Sequence, residues 1–348
     1  MSGIQRVRAI ADGLAAGVGV TGAGALVAGA LTGGAWIVYS ALGVDHHMPL
    51  PPAIDAPRRS FNGARAGALS YYADDTTGGR PLVLIHSINA AASAYEMRPL
   101  FERYRGVRPV YALDLPGFGC SDRSDRVYSV TLYTAAIVEF LRDELRGQEP
   151  ADVVALSLGC EFAARAALQE PALFRSLTLI SPSGFSARGT EGASQRASRE
   201  GSGDRLYRAF AFPLWAQGLY DLLTTRPSIA YFLKQSFEGP PDPGLVAYDY
   251  ATGHQPGARH APLYFISGTL FSPDIRQAIY ESVTLPVLVL YDRDNFVRFD
   301  TLPEVLSRHP NWHATRITPT KGLPHFEELD QTAAALAAFW SHPASEPV

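Results

Sequence analysis

The chain reads as an α/β protein: a doubly wound, mostly parallel sheet with a helical lid insertion and an N-terminal membrane-anchor helix. Three observations predict it. From residue 81 onward, short apolar runs of strand character alternate with stretches of helical period, the rhythm of crossover units. The runs are apolar almost throughout, which suits strands covered on both faces. One long interval, residues 185–284, holds no clear strand candidate but several helical stretches and many aromatics. A separate excursion explains it better than a single loop of that length.

The first element is an apolar segment. No charged residue occurs between Gly13 and Val44, a run longer than the roughly 20 residues that cross a bilayer core. Arg6 and Arg8 precede it and Asp45 follows, which puts the N-terminus in the cytoplasm and the bulk of the protein on the non-cytoplasmic side. A cleaved signal and a surface-lying helical hairpin compete with the anchor. The run is long for a signal and no convincing cleavage site follows it, while its glycines lower helix propensity. Gly29-Ala30-Leu31-Thr32-Gly33 has the small-xxx-small spacing that lets helices pack closely. Met48–Pro57, with four prolines, reads as a stiff linker.

Strands are expected at Pro81–Ser87, Val110–Leu115, Val153–Ser157, Leu177–Ser181, Pro286–Asp292 and Ala314–Thr318, and helices at Leu132–Leu145, Glu161–Gln169 and Thr332–Trp340. Arg188–Asp204, rich in Ser, Gly, Arg and Glu, reads as a loop leading into the insertion. The organisation is therefore an anchor and linker (1–48), a first part of the core (49–184), the insertion (185–284) and a second part of the core (285–348). No internal repeat is found.

Composition narrows the functional classes. With 348 residues, 47% hydrophobic and 18% charged, the chain can bury a full core. A net charge of −4 without a basic stripe gives no argument for nucleic acid. The two cysteines, Cys120 and Cys160, belong to no CxxC or Cys/His cluster, so no zinc or iron–sulfur ligand set exists. They read as free buried thiols.

In a doubly wound sheet, chemistry gathers beyond the carboxyl ends of the strands. Ala155-Leu156-Ser157-Leu158-Gly159 lies where an apolar strand ends and a helix begins. A nucleophilic serine at such a strained turn needs small residues two positions away on either side, and Ala155 and Gly159 supply them. The alternative is an ordinary strand–helix turn with a capping serine. The following helix offers its N-terminal dipole to charge developing near Ser157, and the Leu158 amide is a natural oxyanion donor.

Serine needs a base held by a third group. His325 follows the last strand candidate and precedes the final helix; His309 and His313 lie before that strand, and His254 and His260 belong to the insertion. The acid should also follow a strand. Tyr291-Asp292-Arg293-Asp294-Asn295 offers two carboxylates. Asp294 is preferred, since the turn must extend past the strand to reach the histidine, and Asp292 is the alternative.

Four further segments carry a family resemblance. Leu84-Ile85-His86-Ser87-Ile88-Asn89 is similar to an HGx oxyanion segment, and Asp114-Leu115-Pro116-Gly117-Phe118-Gly119-Cys120-Ser121 to a D-x-P-G-x-G-x-S loop. Val287–Leu290 with Asp294 is similar to an acid-bearing strand and turn, and Gly322-Leu323-Pro324-His325-Phe326-Glu327 to a histidine loop. From about Gly63 to its end the chain resembles the α/β-hydrolase superfamily, in its branch of lid-bearing serine esterases, and Ser157, Asp294, His325 follow that family's chain order. The resemblance implies that His86 shapes the oxyanion loop, that the amides of Ile88 and Leu158 form the hole, and that Asp114 and its glycines are structural. Three positions depart from the pattern. Ser87 stands where the family usually has Gly, Tyr291 where a Gly commonly ends the acid strand, and Glu161 one helical turn beyond the nucleophile, where it reads as an acid favoured by the helix N-terminus.

Serine at this position points to acyl chemistry rather than to the halide displacement or epoxide opening of relatives with aspartate there. The expectation is a serine hydrolase cleaving an apolar carboxylic ester through an acyl-enzyme, with no metal or cofactor. C–C bond hydrolysis, thioester cleavage, acyl transfer, a cofactor-free haloperoxidase activity or a non-catalytic hydrolase-fold membrane protein are the alternatives. Phe210, Phe212, Trp215, Tyr220, Tyr231 and Phe232 read either as an apolar lid over an acyl pocket or as the insertion's own packing. The partners expected are a small apolar acyl substrate and, through the N-terminal segment, a membrane.

Overall fold

The computed structural model describes residues 22–187 and 201–341. Arg6, Arg8, the start of the apolar run, most of the Arg188–Asp204 stretch and His342 lie outside the described residues. Eight strands form one sheet: β1 (Arg58–Gly63), β2 (Gly67–Asp74), β3 (Leu82–Ile85), β4 (Val110–Asp114), β5 (Ala151–Leu156), β6 (Phe174–Ile180), β7 (Val287–Tyr291) and β8 (Trp312–Arg316). Their order is β1-β2-β4-β3-β5-β6-β7-β8. Strand β2 runs antiparallel to its neighbours β1 and β4, and β4, β3, β5, β6, β7 and β8 run parallel. All six expected strands are present, with ends moved by at most three residues. The hairpin β1–β2 was not expected: β1 is polar and largely exposed, so it carries no apolar run.

Thirteen α-helices are described: α1 (Gly22–Gly43), α2 (Arg98–Tyr104), α3 (Val130–Glu139), α4 (Gly159–Gln169), α5 (Gly203–Phe210), α6 (Ala216–Leu223), α7 (Arg226–Ser236), α8 (Pro243–Gly253), α9 (His260–Ser267), α10 (Ile275–Ala278), α11 (Leu302–Arg308), α12 (Pro324–Glu327) and α13 (Leu329–Ser341). Helix α3 continues into one π turn, Phe140–Glu144. Among the described residues six helices, α5 to α10, lie between β6 and β7, where the sequence shows no strand.

Successive strand residues face opposite sides of the sheet, and each side has its own core. Val83, Ile85, Val153, Ala155, Leu177 and Val289 pack with Tyr133 and Phe162 from α3 and α4. Leu82, Leu84, Val154, Leu156, Ile180 and Leu290 pack with Phe101 of α2 and Leu336 of α13. Register brings Ile85 beside Ala155, Leu156 beside Ile180 and Ile180 beside Leu290. The loops after β3, β5, β6 and β7 therefore leave the sheet along one edge.

Met48–Pro57 is not a free linker. Ala53 and Ile54 are fully buried, Ile54 within the second core, and the Ala53 amide donates to Tyr72 Oη at 2.9 Å. Helix α1 rests on α6. Trp36 Nε1 donates to the Gly218 carbonyl at 2.8 Å, and Ser40 Oγ donates to Asp221 at 2.5 Å. His46 and Gln217 approach the same buried carboxylate at 3.0 and 2.8 Å. Among the described residues no helix is long and apolar enough to cross a membrane. Both cysteines are free, Cys160 buried and Cys120 partly exposed.

At the other end of the sheet, Asp152 is buried at the start of β5. It accepts from Arg108 at 2.6 Å, Arg175 at 3.1 Å and Ser176 Oγ at 2.5 Å. Removing one partner of a buried ion pair leaves the remaining charge uncompensated, so Asp152→Ala is expected to lower the unfolding free energy by about 3 kcal/mol. The shift of the urea midpoint measures it; a change near zero would show that the two arginines are solvated without the carboxylate.

Candidate active site

The turn from β5 into α4 is a constrained piece of backbone at this edge, as is the residue after β6, Ser181, with φ +46°. Ser157 has φ +52°, a left-handed conformation that residues with a Cβ adopt rarely. It is held on both sides. The Ser157 amide donates to Ile180 O of β6 at 2.8 Å, and its carbonyl accepts from Cys160 N at 3.1 Å. A Cβ at Gly159 would overlap the His86 carbonyl oxygen, which explains the small residue there. Leu158 caps α4, and its amide precedes the intrahelical ladder.

His86 and Asp114 build the floor. His86 is fully buried. Its Nε2 accepts from the Leu115 amide at 2.9 Å, so Nδ1 carries the proton and donates to the Ser87 carbonyl at 2.5 Å. Burial pushes its pKa down to about 4, so the ring is neutral. A trans peptide is planar; with the Ser87 carbonyl turned toward His86, the Ile88 N–H points the opposite way. Asp114 accepts from the amides of Ala94 and Cys120 at 2.8 and 2.9 Å. A Cβ at Gly119 would overlap its carboxyl, so both residues are structural.

Ser157, Asp294 and His325 follow β5, β7 and β8, but no direct hydrogen bond joins the three. His325 is fully buried. Its Nε2 donates to the Glu96 carbonyl at 2.6 Å, and Nδ1 has no partner. Burial pushes the imidazole pKa down to about 4. Asp294 accepts from the amides of Phe296 and Val297 at 2.6 and 3.2 Å, and burial raises it to about 6. Its other oxygen lies against Gly322, where a Cβ would meet it at 2.9 Å, three residues before His325. Asp292 is committed elsewhere, to Arg316 Nε at 2.6 Å and the Thr320 amide at 3.0 Å.

Glu161 is a structural staple: it accepts from Ser183 Oγ at 2.5 Å and the Ser272 amide at 2.9 Å, tying α4 to the loops after β6 and α9. The aromatics of the insertion divide. Tyr220 is buried and donates to Ala90 O at 2.9 Å. Phe212, Trp215 and Tyr231 are exposed, with the rings of Phe212 and Trp215 tilted against each other at 4.5 Å, so these three do not line an interior pocket.

Three residues that sequence reasoning passed over complete the edge. Arg123 donates to Gly119 O at 2.5 Å and to Thr252 O and Oγ1 at 2.8 and 2.6 Å, joining the loop after β4 to α8. Glu96 is buried and accepts from the Ser87 amide at 2.8 Å, Ser87 Oγ at 2.9 Å and Asn89 Nδ2 at 2.7 Å. Asp249 of α8 is also buried, and its Oδ1 has no hydrogen-bond partner. The one signal in the sequence was Ser87, a hydroxyl in place of the family's Gly, which needs an acceptor.

A left-handed serine turn at the carboxyl edge of such a sheet, with a histidine and a carboxylate on the loops beyond, is the arrangement of the α/β hydrolases. Comparison with known proteins agrees. The model of the Alpha/beta hydrolase family matches residues 82–337, and the chain belongs to that family. It is 32% identical over 123 residues to the uncharacterized hydrolase YugF of Bacillus subtilis (strain 168), a match covering 35% of this chain and 44% of that protein. A serine hydrolase involved in carbazole degradation (CarC enzyme) superposes with TM-score 0.64 at 18% identity, over 82% of this chain and 98% of its own. A putative lipase (lip1) from Acinetobacter baumannii AYE gives TM-score 0.64 at 19% identity, over 82% and 90%.

Burial and the charge of Glu96 push the Asp249 carboxyl well above the usual range. The folded chain keeps a proton that the unfolded chain releases above about pH 4, so this group's contribution to stability is present in acid and is lost as pH rises. Asp249→Asn removes that linkage. Relative to wild type, its urea midpoint is expected to be higher at pH 8 than at pH 5; an equal offset at both would show that Asp249 is not held as a neutral acid.

Proposed function

We propose that this hydrolase cleaves an apolar carboxylic ester through an acyl-enzyme on Ser157. The observation that carries the reading is the left-handed Ser157 turn packed against the His86 carbonyl through Gly159, an arrangement that suits a nucleophile held above a helix N-terminus. Ser157 Oγ bonds to the ester carbonyl carbon while its proton passes to His325 Nε2. The oxyanion takes the N–H groups of Ile88 and Leu158, where preorganised donors are worth most. Collapse expels the alcohol, which takes the proton from His325, and water repeats the sequence to release the acid.

Asp294 is the acid of choice, since Asp292 is saturated by Arg316 and Thr320. The low pKa of His325 keeps it a base at neutral pH. Catalysis requires Nε2 to leave the Glu96 carbonyl, and a half-turn of the ring about Cβ–Cγ exchanges Nε2 with Cε1. The helices α5 to α10 serve as the lid, latched to the core by Arg123 and Tyr220.

Fluorophosphonate labelling of the full chain tests this reading. Wild type is expected to label, and Ser157→Ala not at all. Asp294→Asn is expected to lower kcat by about 10⁴-fold, as loss of the orienting carboxylate does in serine proteases, while Asp292→Asn acts on stability. A folded wild type that does not label, or an Asp292→Asn loss equal to that of Asp294→Asn, overturns the assignment.

The chain is further proposed to be membrane-anchored through its N-terminal segment, with the catalytic part on the non-cytoplasmic side. The charge-free run from Gly13 to Val44 supports this, as do Val38, Tyr39 and Leu42 exposed along α1. Carbonate extraction of membranes from cells expressing the full chain should leave it in the pellet; release into the supernatant overturns the anchor.

A further inference from the structure

Glu96 stands outside the proposed triad, yet its two ends reach both halves of the machinery. Its carboxylate gathers the Ser87 amide, Ser87 Oγ and Asn89 Nδ2, and its backbone carbonyl holds His325 Nε2. The Asn89 amide is oriented by a second bond, its Oδ1 accepting from Ala91 N at 2.8 Å, so Nδ2 faces the carboxylate. We propose that Glu96 is a positioning residue that fixes the oxyanion loop in its working shape and sets the resting orientation of the His325 imidazole. The proposal rests on the hydrolase reading above.

The backbone geometry of Ser87 shows how the first effect arises. Its N–H is fixed by Glu96 and its C=O by His86, so both peptide planes flanking one residue are pinned. The second plane carries the Ile88 N–H, the proposed oxyanion donor. Where a Gly would leave this residue free to turn, Ser87 adds its hydroxyl as a third tie. Donor direction matters because an oxyanion hole acts through preorganisation rather than through contacts formed during reaction.

The anchor is sensitive to protonation. Burial raises Glu96 to about 7. The titratable groups facing it are Asp249 from α8, which senses its charge, and His325 from α12, bonded to its carbonyl. A protonated carboxyl loses acceptor capacity toward three donors, so the loop loosens as pH falls through neutrality. Glutamine keeps the shape of the side chain but presents an NH₂ where one of the donors needs an acceptor, at every pH.

Three full-chain proteins test the proposal: wild type, Glu96→Gln and Ser87→Ala. They are compared by hydrolysis of p-nitrophenyl butyrate, inhibition by a trifluoromethyl ketone that mimics the tetrahedral intermediate, thermal unfolding, and hydrogen exchange of the amides from Ser87 to Ala91. Glu96→Gln is expected to lower kcat by about 10- to 100-fold, short of deleting an oxyanion donor outright, with KM little changed. The ketone should weaken by the same factor, because the lost interaction belongs to the transition state. Exchange in the loop should quicken, and the fall in wild-type kcat near pH 7 should disappear. Ser87→Ala should show the same pattern more weakly. A Glu96→Gln protein that turns over and binds the ketone like an active wild type overturns the proposal alone. So does one in which KM, kcat and thermal stability fall together with no selective loss of ketone binding. A wild type that neither labels nor turns over, with faster loop exchange in Glu96→Gln, overturns the hydrolase reading and with it any positioning role in catalysis, leaving Glu96 a loop anchor.

Discussion

The turn at Ser157 holds a non-glycine residue in a left-handed conformation, a strain on the order of 1–3 kcal/mol, and the elements around it are arranged so that it cannot relax. Its amide is bonded into β6 and its carbonyl into the first turn of α4, while Gly159 lies against the His86 carbonyl. His86 in turn joins the loop after β3 to the loop after β4. A change of backbone at the serine would therefore have to move three loops from three strands. Because those strands are buried on both faces, the cost of moving them exceeds the strain released.

The same edge carries several acids and imidazoles with almost no water around them. His86 and His325 are both driven neutral by burial, yet they differ in kind. His86 has both nitrogens satisfied and a fixed tautomer, which suits a strut. His325 leaves Nδ1 unpartnered, an expensive arrangement for a buried polar atom, and one that a group able to turn toward a carboxylate would repay. Glu96 and Asp249 differ in the same way: one is surrounded by donors, the other has an oxygen with none.

What was legible in the sequence follows from what each residue's role depends on. The central strands could be read because both faces are buried and their apolar runs are continuous. The β1–β2 hairpin could not, because β1 lies exposed at the sheet's edge. The left-handed turn at Ser157 was legible from Ala155 and Gly159, small residues required within five positions of one another, and the place of His325 beyond β8 from its position between strand and helix. That Asp292 is engaged by Arg316 and Thr320 could not be read, because those residues belong to β8 and the segment after it and have no local signature. Glu96 and Asp249 are isolated acids among helical residues, and only the fold brings Glu96 onto the loop after β3 and Asp249 within reach of its charge. Phe212 and Trp215 suggested an inward apolar face, but the break between α5 and α6 interrupts the helical phase and both ended at the surface.

Helix α1 is joined to α6 through Asp221, which takes Ser40 and His46 on one side and Gln217 on the other. The neighbouring Tyr220 reaches across to the carbonyl of Ala90, in the loop after β3. The N-terminal helix and the loop beyond β3 are thus two hydrogen-bonded steps apart, with α6 as the crossbar. Any outward swing of α6 must either drag α1 along or break a buried carboxylate away from its donors. Helix α1 and the loop after β3 are consequently parts of one mechanical linkage.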